Sequence, residues 1–141
     1  MTVPYFDTSA LIKLVVEEEG TESAIELWQA SLHAVTSRLA YPEARAALAA
    51  ARHAGLLTHG YRRAVSDFAE LFRELEKVEI DAELAYLAGE LAEEHGLRGY
   101  DAVHLASALE LGPATILVTW DAALARAGDA TGLAVAPPPS T

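Results

Sequence analysis

The chain has 141 residues, with 10 Lys and Arg against 21 Asp and Glu and a formal net charge of -11. That balance excludes the basic surface of a sequence-tolerant nucleic-acid coat, but it suits an enzyme that meets phosphate through a bound cation. Cysteine is absent, so disulfides and thiolate ligands are excluded and any metal must take oxygen or imidazole nitrogen.

The length fits one domain, residues 1–141, with a frayed end at 137–141. No basic start precedes an apolar leader, and no run approaches the length of a bilayer span, so a soluble cytoplasmic protein is expected. In chain order, Val3–Phe6 reads as a short strand and Ser9–Val16 as a helix. After the Glu17–Thr21 break, Glu22–Ala30 has helical spacing and His33–Thr36 reads as a second strand. Leu39–Ala54 forms the next helix, with Pro42 in its first turn and Gly55 at its end. His59–Leu75 is helical, Lys77–Ile80 is a strand, and Asp81 caps a helix running to about Glu94. The Asp101–Leu111 helix ends at Gly112-Pro113, and strand Ile116–Thr119, helix Ala122–Ala127 and strand Leu133–Ala136 complete the chain. Strands separated by helices pair in parallel through right-handed crossovers, with helices on both faces. The expected class is therefore α/β and helix-rich.

Four carboxylates stand where one element hands over to the next: Asp7, Glu43, Asp101 and Asp121. In an open parallel sheet, the turns at the carboxyl ends of the strands converge on one crevice. Capping alone accounts for an acid at a helix start, since Asp is a preferred N-cap and Glu suits a first turn. The surroundings favour more than capping. Thr8 and Ser9 trail Asp7, Thr119 precedes Asp121, and Asp101 heads a helix that is apolar on most sides. Four acids in one crevice repel each other unless a multivalent cation neutralises them. A hard-metal site for phosphate chemistry is the leading reading.

The segments Tyr5-Phe6-Asp7-Thr8-Ser9-Ala10-Leu11, Tyr41-Pro42-Glu43, Gly99 to Ala106 and Leu117 to Asp121 form an ordered set. Together with Leu124 and Gly128, this set resembles PIN-domain nucleases, especially the VapC-type toxins of toxin–antitoxin modules. The resemblance implies a three-layer α/β/α fold around a parallel sheet of four to five strands. It further implies an endoribonuclease dependent on Mg²⁺ or Mn²⁺, hydrolysing RNA with metal-activated water to leave 5′-phosphate and 3′-hydroxyl ends. A small basic antitoxin and a homodimer are its expected partners. Carried over by position, Asp7, Glu43, Asp101 and Asp121 are the catalytic metal-binding acids, and Thr119 and Ser9 are supporting hydroxyls.

Two rivals compete with this reading. One is a PIN-like scaffold that binds RNA or a partner without cutting. The other is a phosphotransfer domain, which needs a second Asp two places after Asp7, where Ser9 stands.

Several residues are discounted. His104, three positions after Asp101, reads as a packed histidine outside the site, and His33, His53, His59 and His95 lack ligand spacing. Arg38, Arg45 and Arg52 recur every seven residues but point roughly 140–200° away from Glu43 around the helix. Arg98 and Lys13 are better placed for a substrate backbone. Trp28, Leu32, Phe68, Leu71, Phe72 and Leu75 form apolar stripes whose default place is the core.

Overall fold

Short apolar runs set between longer helical segments cannot form hairpins, because each connection is long enough to carry a crossover helix. The computed structural model describes residues 2–57 and 59–139. It places β1 at Val3–Phe6, α1 at Thr8–Ile12, α2 at Thr21–Gln29, β2 at Val35–Ser37 and α3 at Ala40–His53. Then come α4 at Tyr61–Glu74, β3 at Glu76–Val78, α5 at Ala82–His95 and α6 at Gly99–Glu110. The last elements are β4 at Thr115–Val118, α7 at Ala122–Ala130 and β5 at Ala134–Ala136.

All five strands pair in parallel, in the order β3-β2-β1-β4-β5. Alternate residues of each strand face opposite layers. Tyr5 and Leu117 join one core with residues of α5, α6 and α7, whereas Phe6 and Val118 join another with α1, α3 and α4. The expected three-layer arrangement is therefore present.

Element boundaries moved where tertiary pairing overrode local pattern. Helix α1 ends at Ile12 rather than Val16, and residues 14–16 continue in turns onto the Leu11 and Ile12 carbonyls. The second and third strands follow their pairing: Val35 sits opposite Tyr5 and Glu76, so His33 lies before the ladder and Ile80 beyond it. Helix α7 passes through Gly128 to Ala130, because that glycine is where the helix meets the sheet. A Cβ there would stand 2.7 Å from Leu117 Cδ2 and 3.2 Å from Val135 Cγ2. Leu32, assigned above to an apolar stripe, is 82% exposed, while Phe68 and Phe72 are buried.

Pro137, Pro138 and Pro139 of the expected frayed end line a small hollow with Trp120 and Asp121, and residues 140–141 fall outside the described ones. No helix among the described residues is long and apolar enough to cross a membrane.

Candidate functional site

The chain leaves β1 and β4, neighbours at the centre of the sheet, for opposite layers. Their carboxyl ends diverge there and leave a crevice at the switch point of the topology. A cleft of about 340 Å³ occupies that place, and Asp7, Glu43, Asp101 and Asp121 all line it.

Asp7 ends β1 and caps α1. Its Oδ1 accepts from the Ala10 backbone N–H at 3.0 Å and from Ser9 Oγ at 2.7 Å. Its Oδ2 accepts from Thr119 Oγ1 at 2.5 Å. The Thr119 and Ser9 oxygens in turn accept the backbone N–H groups of Asp121 and Trp120, each at 3.0 Å. Two hydroxyls thus stitch the turn after β1 to the turn after β4 and hold the carboxylate in a single orientation. Burial pushes the pKa of Asp7 above the ordinary carboxylate value, against the opposing effects of His104 and these hydrogen bonds. Its charge is short of compensation.

Asp101 does not open its helix, as the sequence reading had it. Extended Arg98 is the N-cap, and α6 begins at Gly99, which puts Asp101 in the first turn, buried. That shift brings Arg98 over the site. Its Nε donates to Asp101 Oδ2 at 2.8 Å and its Nη2 to Asp121 Oδ2 at 3.3 Å, while the guanidinium lies 4.8 Å from the centre of the Tyr100 ring. Asp121 also caps α7, through Oδ1 and the Leu124 N–H at 2.9 Å. Burial raises the pKa of Asp101; Asp121 adds to the rise, and Arg98 and His104 oppose it.

Glu43, in the first turn of α3, reaches the same cleft. Thr8 Oγ1 donates to its Oε1 at 2.7 Å, and His104 Nε2 lies 2.6 Å from that oxygen. Burial would raise the pKa of Glu43, but the bonds from His104 and Thr8 outweigh it and hold the carboxyl below its usual value.

His104 is packed and hydrogen-bonded, as a lone histidine on an apolar helix should be. It nevertheless lines the cleft, which the sequence reading left out. The available signal was its position three residues after Asp101, which places both on one face of α6. Lys13 lines the cleft too, but its ammonium is held by Glu18 at 3.1 Å and by the Glu19 carbonyl at 2.6 Å. The arginine stripe stays outside: Arg38 pairs with Glu79, Arg45 bonds Tyr41, and Arg52 lies over the Tyr61 ring.

Among the described residues, no three His, Asp or Glu side chains form a ready-made metal cage. Asp101 and Asp121 instead share one monovalent guanidinium. The donor chemistry still fits a hard divalent ion: every candidate ligand is a carboxylate oxygen, and two of the carboxyls are raised by burial that a double positive charge would relieve.

The chain is similar to known proteins over nearly its whole length. The PIN domain family model matches residues 5–130. Ribonuclease VapC49 of Mycobacterium tuberculosis is 45% identical over 139 residues, spanning 97% of this chain and 96% of that protein. PAE2754 from Pyrobaculum aerophilum superposes with a TM-score of 0.72 at 22% identity, covering 95% of this chain and 83% of that one. A toxin–antitoxin complex from Klebsiella pneumoniae gives a TM-score of 0.56 at 23% identity over 84% of this chain and 86% of that one.

Proposed function

The chain belongs to the PIN-domain family, within its VapC ribonuclease toxins, and from that premise we propose that it cuts RNA as an endonuclease dependent on Mg²⁺ or Mn²⁺. The observation that carries this is the gathering of four carboxylates from four separate segments into one cleft, with Asp7 buried and locked at its floor.

Asp7 and Asp101 would hold the cation, with Glu43 and Asp121 completing the acidic wall. When bound, the ion supplies charge neutralisation at the phosphodiester and a more acidic water. The chain's own part is positioning. Thr119 and Ser9 fix Asp7, Thr8 and His104 fix Glu43, and Arg98 stands at the mouth with a cation to offer a phosphate. Water as nucleophile leaves a 5′-phosphate and a 3′-hydroxyl and requires no covalent enzyme intermediate.

The partner of this acidic chain is a small basic antitoxin. The net charge of -11 gives such a protein a strong attraction to it, and the fold is shared with a chain solved in a toxin–antitoxin complex.

The test is RNA cleavage with Mg²⁺ or Mn²⁺ by the wild type, Asp7→Asn and Asp101→Asn, with product ends analysed. Each substitution is expected to lower the rate roughly 100-fold or more, since the ion contributes several kcal/mol to the barrier. Cleavage that survives EDTA, or survives in both variants, overturns the reading.

A further inference from the structure

We propose that His104 is the positioning residue for Glu43: a buried imidazole, locked from behind by Tyr5, that fixes one Glu43 oxygen and leaves the other for the cation. This rests on the nuclease reading above and assigns a role to a side chain outside the acidic set.

His104 is 2% exposed and both of its ring nitrogens are engaged. Its Nε2 lies 2.6 Å from Glu43 Oε1, and its Nδ1 lies 2.7 Å from the hydroxyl of Tyr5, a residue with no exposure at all. These partners come from β1 and α3, 99 and 61 positions away in sequence. The network therefore ties three elements at the cleft floor.

The proton assignment follows from the donors available. An ionised carboxylate only accepts, so the hydrogen on the short His104–Glu43 contact belongs to Nε2. On the far side of the ring, Nδ1 faces the Tyr5 hydroxyl at 2.7 Å, a group able to donate or accept. Thr8 Oγ1 lies 3.2 Å from Nε2 and donates to the same Glu43 oxygen at 2.7 Å. Two donors thus converge on Oε1. Oε2 receives no hydrogen bond among the described residues, although Glu43 lines the cleft. Glu43 is accordingly left with one oxygen unengaged, in an orientation set by a residue that is itself almost wholly buried. Partners of this kind commonly govern metal affinity through the ligands they orient.

Four proteins test this: the wild type, His104→Gln, His104→Leu and Tyr5→Phe. The readouts are Mn²⁺ affinity by titration, RNA cleavage resolved into kcat and KM, and the ¹⁵N signature of the His104 ring in the metal-free protein. A glutamine amide restores the donor at the place of Nε2, so His104→Gln should bind Mn²⁺ within about threefold of the wild type. His104→Leu should bind it about 10- to 100-fold more weakly and lose kcat, with KM for RNA little changed. The wild-type spectrum should show the proton on Nε2. Should the leucine variant fail to fold, Tyr5→Phe keeps the ring's packing and removes only the lock on Nδ1; it should perturb the ring signature and weaken Mn²⁺ several-fold.

Leucine or phenylalanine variants equal to the wild type in Mn²⁺ affinity overturn the inference, as does an Nε2 that carries no proton or a glutamine variant as weak as the leucine one. In that case Mn²⁺-dependent cleavage by the wild type leaves the nuclease reading standing. Wild-type cleavage indifferent to Mn²⁺ removes both.

Discussion

Replacing Thr119 with Val keeps the outline of the side chain and deletes one hydroxyl that serves two partners. Thr119 is 1% exposed and donates to Asp7 Oδ2 at 2.5 Å, while its oxygen accepts the Asp121 N–H at 3.0 Å. A hydrogen bond to a charged group contributes about 1.5–3 kcal/mol, and a buried backbone donor left alone costs about 1 kcal/mol more. Asp7 is 3% exposed and has little access to replacement water. The expected loss is therefore about 2.5–4 kcal/mol, or roughly 10 °C in Tm for a domain of this size. Urea and thermal denaturation in chelator should show it, with Thr119→Ser close to the wild type. Pairing the change with Asp7→Ala in a double-mutant cycle should give a coupling of about 1.5–3 kcal/mol. A Val variant within about 0.5 kcal/mol of the wild type, or strictly additive effects in the cycle, would refute the claim that this hydroxyl holds the carboxylate.

Asp7→Asn should itself stabilise the metal-free protein at neutral pH. Burial holds the folded-state pKa of Asp7 above its ordinary value, so the group's contribution is full below the unfolded value and is lost as pH rises through the folded one. In EDTA the Asn variant should melt above the wild type at neutral pH, and the gap should close as pH falls toward 3.8; a gap indifferent to pH contradicts this. Gly128→Ala pushes a methyl to 2.7 Å from the fully buried Leu117. Chemical denaturation should record a loss of about 1–3 kcal/mol despite the better helix propensity of Ala, and an unchanged midpoint would show that α7 has room to shift. Arg98→Gln removes a cation already bonded to Asp101 and Asp121. Mn²⁺ should bind the variant about three- to tenfold more tightly, because an exposed guanidinium no longer competes for the two carboxylates. Weaker binding would mean that the guanidinium organises the carboxylates instead of competing for them.

The fold was legible because each strand is a short apolar run and each crossover carries its own helical period and stop signal. Gly55 and Asp81 mark such ends and starts directly. The exact ends were less legible, since a strand three residues long is bounded by its neighbour: Val35 to Ser37 are a strand because Tyr5 and Glu76 to Val78 lie alongside. Asp7 and Asp121 do cap helices, so the plain reading of them was sound as far as it went. Nothing local says that a cap also lines a cleft, because the Thr119 hydroxyl reaches Asp7 from 112 residues away. His104 was read as packed, and it is. Its bond to Glu43 depends on how α3 and α6, on opposite faces of the sheet, converge at the carboxyl end of β1, which no spacing within either helix records. Arg98 was singled out for a substrate backbone, but its bonds to Asp101 and Asp121 follow from α6 beginning at Gly99.

The central pairing of β1 with β4 also bears on how the chain comes off the ribosome. Residues from opposite ends must meet before Asp7 gains its second hydroxyl and the cleft its last wall, a long loop closure that slows assembly. A nascent or prematurely terminated product that stops short of Thr115 carries Asp7, Glu43 and Asp101 but neither β4 nor Asp121. In such a product the Asp7 carboxylate lacks its Thr119 bond, and the cleft lacks the wall that Asp121 supplies.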